Sequence, residues 1–163
     1  MNRRFASLAI LALLSAPLPG VAQGTNLTFG GIKQDPSAPV EVSADGLDVN
    51  QSNGTATFTG NVVIGQGQMR LSAQRVLVVY QKDSQKIERL EARGGVTLVS
   101  GQEAAEAASA DYNIDRGVIV MTGNVLLTQG PSALSADKMT VQLRDGTAQM
   151  SGRVKTILQN GNN

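Results

Sequence analysis

The chain of 163 residues contains neither cysteine nor histidine. Without cysteine it has no disulfide framework, no thiolate metal site and no redox pair. Without histidine it lacks the commonest general base, the imidazole of a serine triad and most zinc ligand sets. Tryptophan is also missing and aromatics make up 3% of the residues, so any interior has to be filled by Val, Ile, Leu and Met. Neither charge sign dominates, with 14 Lys and Arg against 13 Asp and Glu. With no basic stripe, nucleic acid is not an expected partner.

Long apolar runs are scarce too. The longest, Phe5 to Leu14, follows Arg3 and Arg4 and precedes Pro17, Pro19 and a small-residue site at Gly20-Val21-Ala22. It is too short to cross a bilayer, and the pattern is that of a cleavable secretory signal over residues 1–22. Its removal takes two of the 14 basic residues and leaves 12 against 13 acidic ones. Residues 23–39 are polar and carry Gly and Pro without periodicity, which suits a flexible or edge-pairing leader. The remainder is of single-domain size, with the ordered domain expected over 40–158 and a polar tail over 159–163.

What the sequence does have is repetition. Thr59-Gly60-Asn61-Val62-Val63-Ile64 returns as Thr122-Gly123-Asn124-Val125-Leu126-Leu127, with shorter echoes at Gly94-Gly95-Val96 and Gly152-Arg153-Val154. A spacing of about 30 residues marks a structural repeat. A second word alternates with the first: Ser43-Ala44-Asp45, Ser72-Ala73-Gln74, Ser109-Ala110-Asp111 and Ser135-Ala136-Asp137. The runs between are short and rich in β-branched residues, too short for helical repeat units, so the chain reads as stacked antiparallel hairpins of about sixteen short strands. Gly is expected where a strand ends or bends. Asn53-Gly54 and Asp145-Gly146 are hairpin turn signals. Local propensity alone would make Lys82–Ala92 and Glu103–Ala110 helical, but each fills a slot that the repeat gives to a strand.

Aligning the long repeats on their Thr-Gly-Asn words pairs Phe58 with Met121, Val62 with Val125, Ile64 with Leu127 and Leu71 with Leu134. It also pairs Val76, Val78 and Tyr80 with Met139, Val141 and Leu143. Apolar character is kept at matching strand phase, so these residues, with Val49, Ala56 and Ile119, are assigned to one interior face. Leu77, Val79, Val118 and Val120 are apolar on the opposite face, as at a surface covered from both sides. A dry core explains the interior as well as a binding groove does.

Chemistry-bearing motifs are few. Asp45, Asp111 and Asp137 recur in one repeat slot, which suits a turn device better than a single catalytic centre. No phosphate-binding glycine motif stands between a strand and a helix, and Gly65-Gln66-Gly67 reads as a loop bounded by strands. No metal, cofactor or catalytic residue is expected.

The words Val42 to Asp45, Thr57 to Val62, Gly67 to Val79 and Val120 to Leu127 resemble the OstA-like family of periplasmic lipopolysaccharide transport proteins, across roughly Pro39 to Ile157. The resemblance implies an all-β, open, twisted antiparallel β-jellyroll whose hydrophobic groove takes the acyl chains of lipopolysaccharide. It further implies head-to-tail self-assembly between an inner-membrane complex subunit of the same fold and the N-terminal domain of an outer-membrane translocon. The competing expectation is a structural β-repeat module with a closed core and no lipid.

Overall fold

The computed structural model describes residues 25–28 and 37–157. The signal segment 1–22 and the tail 159–163 lie outside the described residues. Eleven strands form one antiparallel sheet: β1 (Thr25–Thr28), β2 (Glu41–Ser43), β3 (Gly46–Asn50), β4 (Thr55–Gln66), β5 (Met69–Tyr80), β6 (Ile87–Ser100), β7 (Glu103–Asn113), β8 (Val118–Gln129), β9 (Ser132–Gln142), β10 (Thr147–Ser151) and β11 (Lys155–Ile157). The order is β1-β10-β9-β8-β7-β6-β5-β4-β2, with β3 also on β4 and β11 also on β9. The sheet is open.

Eleven replaces sixteen because Gly-Asn bends strands without ending them. β4 runs through Gly60-Asn61, and its register with β5 shifts between Thr59 and Val62. The same shift falls between Thr122 and Val125 on β8. Gly60 and Asn61, Gly94 and Gly95, Gly123 and Asn124, and Gly152 and Arg153 all have positive φ. Two successive left-handed residues opposite a shorter partner make a β-bulge that turns the strand. Each of the six long strands therefore counts as two short ones.

The second repeated word supplies the other wall of each corner. A Cβ on Gly94 would lie 2.8 Å from the Gln74 Cβ, and one on Gly123 would lie 2.9 Å from the Ala108 Cβ. Gly60 and Gly152 meet Asp45 and Asp137 in the same way. The third copy of the word is thus Glu106-Ala107-Ala108. Ser109-Ala110-Asp111, the sequence choice, begins where pairing resumes at Ser109↔Thr122.

The aligned corners divide the sheet into two layers. One layer holds β3, the Thr55–Thr59 half of β4 and its counterparts as far as β10; the other holds β2, the Val62–Gln66 half and its counterparts as far as β11. With strands alone among the described residues, the apolar face is buried against itself. Alternate residues of every long strand accordingly point into one cluster, from Ala56 to Met150.

Both segments of ambiguous propensity are strands, β6 from Ile87 and β7 from Glu103, while residues 82–86 form the connection between β5 and β6. Tertiary pairing overrides the helical preference of Ala and Glu. Within the leader, Thr25–Thr28 pairs with β10. Gly65 and Gln66 are the last residues of β4, not part of a loop. Leu77, Val79, Val118 and Val120 are half-buried on the outer face.

Candidate functional site

Fourteen of the seventeen interior assignments lie in the buried cluster: Ala56, Val62, Ile64, Leu71, Val76, Val78, Ile119, Met121, Val125, Leu127, Leu134, Met139, Val141 and Leu143. Phe58 and Tyr80 are half-buried against it. Val49, paired with Ala56 on the same face, is 63% exposed. Alternation along the stretches that form β6 and β7 could have found Leu90, Leu98, Ala105 and Tyr112, all buried. In the first layer one cross-strand row runs Phe58, Val76, Ala92, Ala110, Met121, Met139, Met150. Its last three members are unbranched, polarisable methionines, the side chains that adapt best to irregular neighbours.

The interior is sealed. Met121, Met139, Val141, Leu127 and Met150 are wholly without solvent contact. Among the described residues, the most apolar opening lies at the β3 edge. There a cavity of about 610 Å³ is lined by Leu47, Val49, Ala56, Phe58 and Tyr80, with Asn50, Gln51, Gln81, Ser84 and Gln85 around them. No lining side chain is charged. Leu47, missed by the sequence reading, pairs with Phe58 and is 55% exposed. A strand whose inner face carries two solvated aliphatic side chains beside a half-buried Phe marks a place where apolar surface awaits cover. A hollow of about 720 Å³ on the other face of this hairpin is lined by Asp48, Ser52, Asn53, Thr57 and their neighbours and is more polar in character.

One polar bridge crosses the apolar interior. The Tyr112 hydroxyl, from the first layer, donates to Gln66 Oε1 of the second at 2.6 Å. Gln66 Nε2 donates to the Ala38 carbonyl, just before β2, at 2.9 Å. Both side chains are 1% exposed, and burial pushes the phenol up to about 12 while the Gln66 bond opposes the shift. Beside the bridge, a cleft of about 520 Å³ separates Ser37, Ala38 and Val40 from Gln85, Lys86, Ile87, Ile114 and Asp115.

The recurring acids do not converge. Asp45 accepts from Asn61 Nδ2 at 2.8 Å. Asp111 faces Arg93 at 3.3 Å, and Asp137 accepts from Arg153 Nε and Nη2. The Arg153 guanidinium holds the Asp137 carboxyl below its ordinary range. Asp45 and Asp137 do serve corners; Asp111 belongs to an outer-face charge cluster with Arg93 and Glu91. Among the described residues no three or more His, Cys, Asp or Glu side chains gather as metal ligands, and no helix is long and apolar enough to cross a membrane.

Residues 41–154 match the family described as LptA/(LptD N-terminal domain) LPS transport protein. The chain belongs to this family. A lipopolysaccharide export system protein LptA from Escherichia coli is 26% identical over 157 residues, covering 90% of this chain and 80% of that protein. An uncharacterised protein of Rhizobium meliloti is 30% identical over 149 residues, 85% of this chain and 80% of its own length. The crystal structure of LptH, the LptA-homologous periplasmic component of the lipopolysaccharide transport device from Pseudomonas aeruginosa, superposes with a TM-score of 0.69 at 16% identity, covering 78% of this chain and 99% of that one. The LptA-like jellyroll is therefore the fold of this chain.

Proposed function

We propose that the chain is a periplasmic carrier of lipopolysaccharide that receives acyl chains at the β3 mouth. The observation that carries this is the uncharged apolar shelf of Leu47, Val49, Phe58 and Tyr80 at the β3 edge of a jellyroll whose core is buried. Each methylene withdrawn from water is worth about 0.8 kcal/mol, so a lipid with several acyl chains needs continuous apolar cover to cross an aqueous compartment. Covering Leu47 and Val49, each more than half exposed, adds roughly 1 kcal/mol or more apiece from the protein side. The relatives named for lipopolysaccharide export or transport support the choice of lipid and of the periplasm.

In this reading the chain is one link of a bridge. The family joins free-standing proteins to the N-terminal domain of LptD, which supports contacts between like domains: other copies head to tail, an inner-membrane subunit of the same fold, and the N-terminal domain of an outer-membrane translocon. The edge strands β2, β3, β1 and β11 each pair on one side only among the described residues, and an unpaired edge is a template for strand addition.

A benzophenone side chain placed at Val49 or at Phe58 is expected to form adducts with lipopolysaccharide. No adduct at either position refutes the carrier. The closed interior favours a second reading, a structural β-repeat module with a dry core. That module predicts no adducts and no protection of the shelf by lipid.

A further inference from the structure

The mouth leads to a sealed interior, so a chain bound at the shelf reaches the methionine row only if something moves. We propose that residues 37–43 form a strap that peels from β4 to join the mouth to the interior, and that Gln66 is its latch. This inference rests on the carrier reading of the mouth and adds the route inward.

Few backbone pairs hold the strap. β2 pairs with β4 through three residues, Glu41↔Gly65, Val42↔Ile64 and Ser43↔Val63, and with no other strand among the described residues. By contrast the long strands pair along ten or so residues on both sides. Elements with few pairs and one neighbour open locally at the lowest cost. Its apolar contribution is modest: Val40 and Val42 are partly buried against the core.

What holds it is polar and specific. Gln66, buried at the end of β4, spends its amide on the Ala38 carbonyl and its oxygen on the Tyr112 hydroxyl. A hydrogen-bonded pair in such surroundings is costly to leave half-satisfied, so the bridge closes as a unit and opens as a unit. An aliphatic residue at position 66 would pack the core with less risk, which makes the amide notable as a reversible tie. The seam is already parted: the 520 Å³ cleft lies between the strap and the turns bearing Ile87 and Ile114. Gln85 lines both this cleft and the mouth, so displacing the strap extends one opening rather than making a second. An acyl chain then replaces Val40 and Val42 as the apolar cover.

The absence of native cysteine allows a clean test. Ser43 and Val63 are register partners, both exposed on the outer face; a disulfide in Ser43→Cys/Val63→Cys staples the strap without touching the core. The full chain is irradiated with lipid A carrying a diazirine at an acyl-chain end, and labelled residues are mapped by mass spectrometry. With the staple oxidised, labelling of Met121 and Met139 is expected to fall about tenfold or more while Val49 and Phe58 stay labelled, and reduction restores it. Equal interior labelling in both states overturns the strap and leaves the mouth standing. Labelling nowhere in either state overturns both. Gln66→Leu and Tyr112→Phe, checked for folding by the amides of β7 and β8, are expected to speed hydrogen exchange at Ser43 about tenfold. Unchanged exchange there removes Gln66 as the latch.

Discussion

At the scale of single residues the fold turns on its corners. Gly123 combines positive φ with a neighbour 2.9 Å from where a Cβ would sit, so Gly123→Ala adds left-handed strain to a collision with Ala108. A loss of about 2–4 kcal/mol is expected in urea denaturation, against about 1–2 kcal/mol for Gly130→Ala, where φ is also positive but nothing lies within 4 Å. At the last corner Arg153 itself takes positive φ and chelates Asp137 with Nη2 at 2.6 Å. The carboxyl titrates below its ordinary value of 3.8 in the folded state. Its contribution is therefore present above that value and lost as pH falls through the lowered one. Asp137→Asn should lower the melting temperature slightly at neutral pH, and the gap to the parent chain should narrow in acid below pH 3.8. Both partners lie on the surface, so salt should shrink the same gap.

At the scale of strands and hairpins, β3 is where stability and function separate. Leu47 and Val49 contribute little burial, being 55% and 63% exposed. Leu47→Asp and Val49→Asp should each change unfolding free energy by less than about 0.5 kcal/mol while weakening lipopolysaccharide capture about tenfold, since each puts a charge where an acyl chain must lie. Met121→Asp, at a site with no exposure, should unfold the domain. A dry module predicts no difference in binding between parent and β3 variants. Most of this architecture was readable in the residues. Alternation from Thr55 to Ile64 set the strand phase, and the two Thr-Gly-Asn words aligned the repeats that share it. Three things were not. Strand count depends on whether Gly-Asn ends a strand or bends it, a matter of pairing on the far side of the word. The third corner hid because Ser109-Ala110-Asp111 copies the spelling of the motif while Ala107-Ala108 occupies its place; geometry needs only small residues there. The closure of the interior depends on how the two layers meet, and no one-dimensional pattern carries that.

At the scale of the whole molecule, the layers are joined by the corners along one margin and by the Tyr112–Gln66–Ala38 bridge inside. With no histidine in the chain, no side chain has its ordinary ionisation between acid and alkaline ranges, so stability should be flat across neutral pH. The bridge then sets the alkaline limit. Tyr112 ionises near 10.0 when unfolded and at about 12 when buried. The folded state thus holds this proton more tightly, and stability is full below pH 10.0 and declines as pH rises towards about 12. Tyr112→Phe should cost roughly 1–3 kcal/mol at pH 7 by leaving Gln66 Oε1 without this donor. It should also remove this residue's share of the alkaline decline, so the curves of parent and variant converge as pH climbs. Urea unfolding of both chains at pH 7, 10 and 12 measures this. Parallel curves across that range would mean that the phenol is not held between the layers, and that the two halves of the jellyroll meet without it.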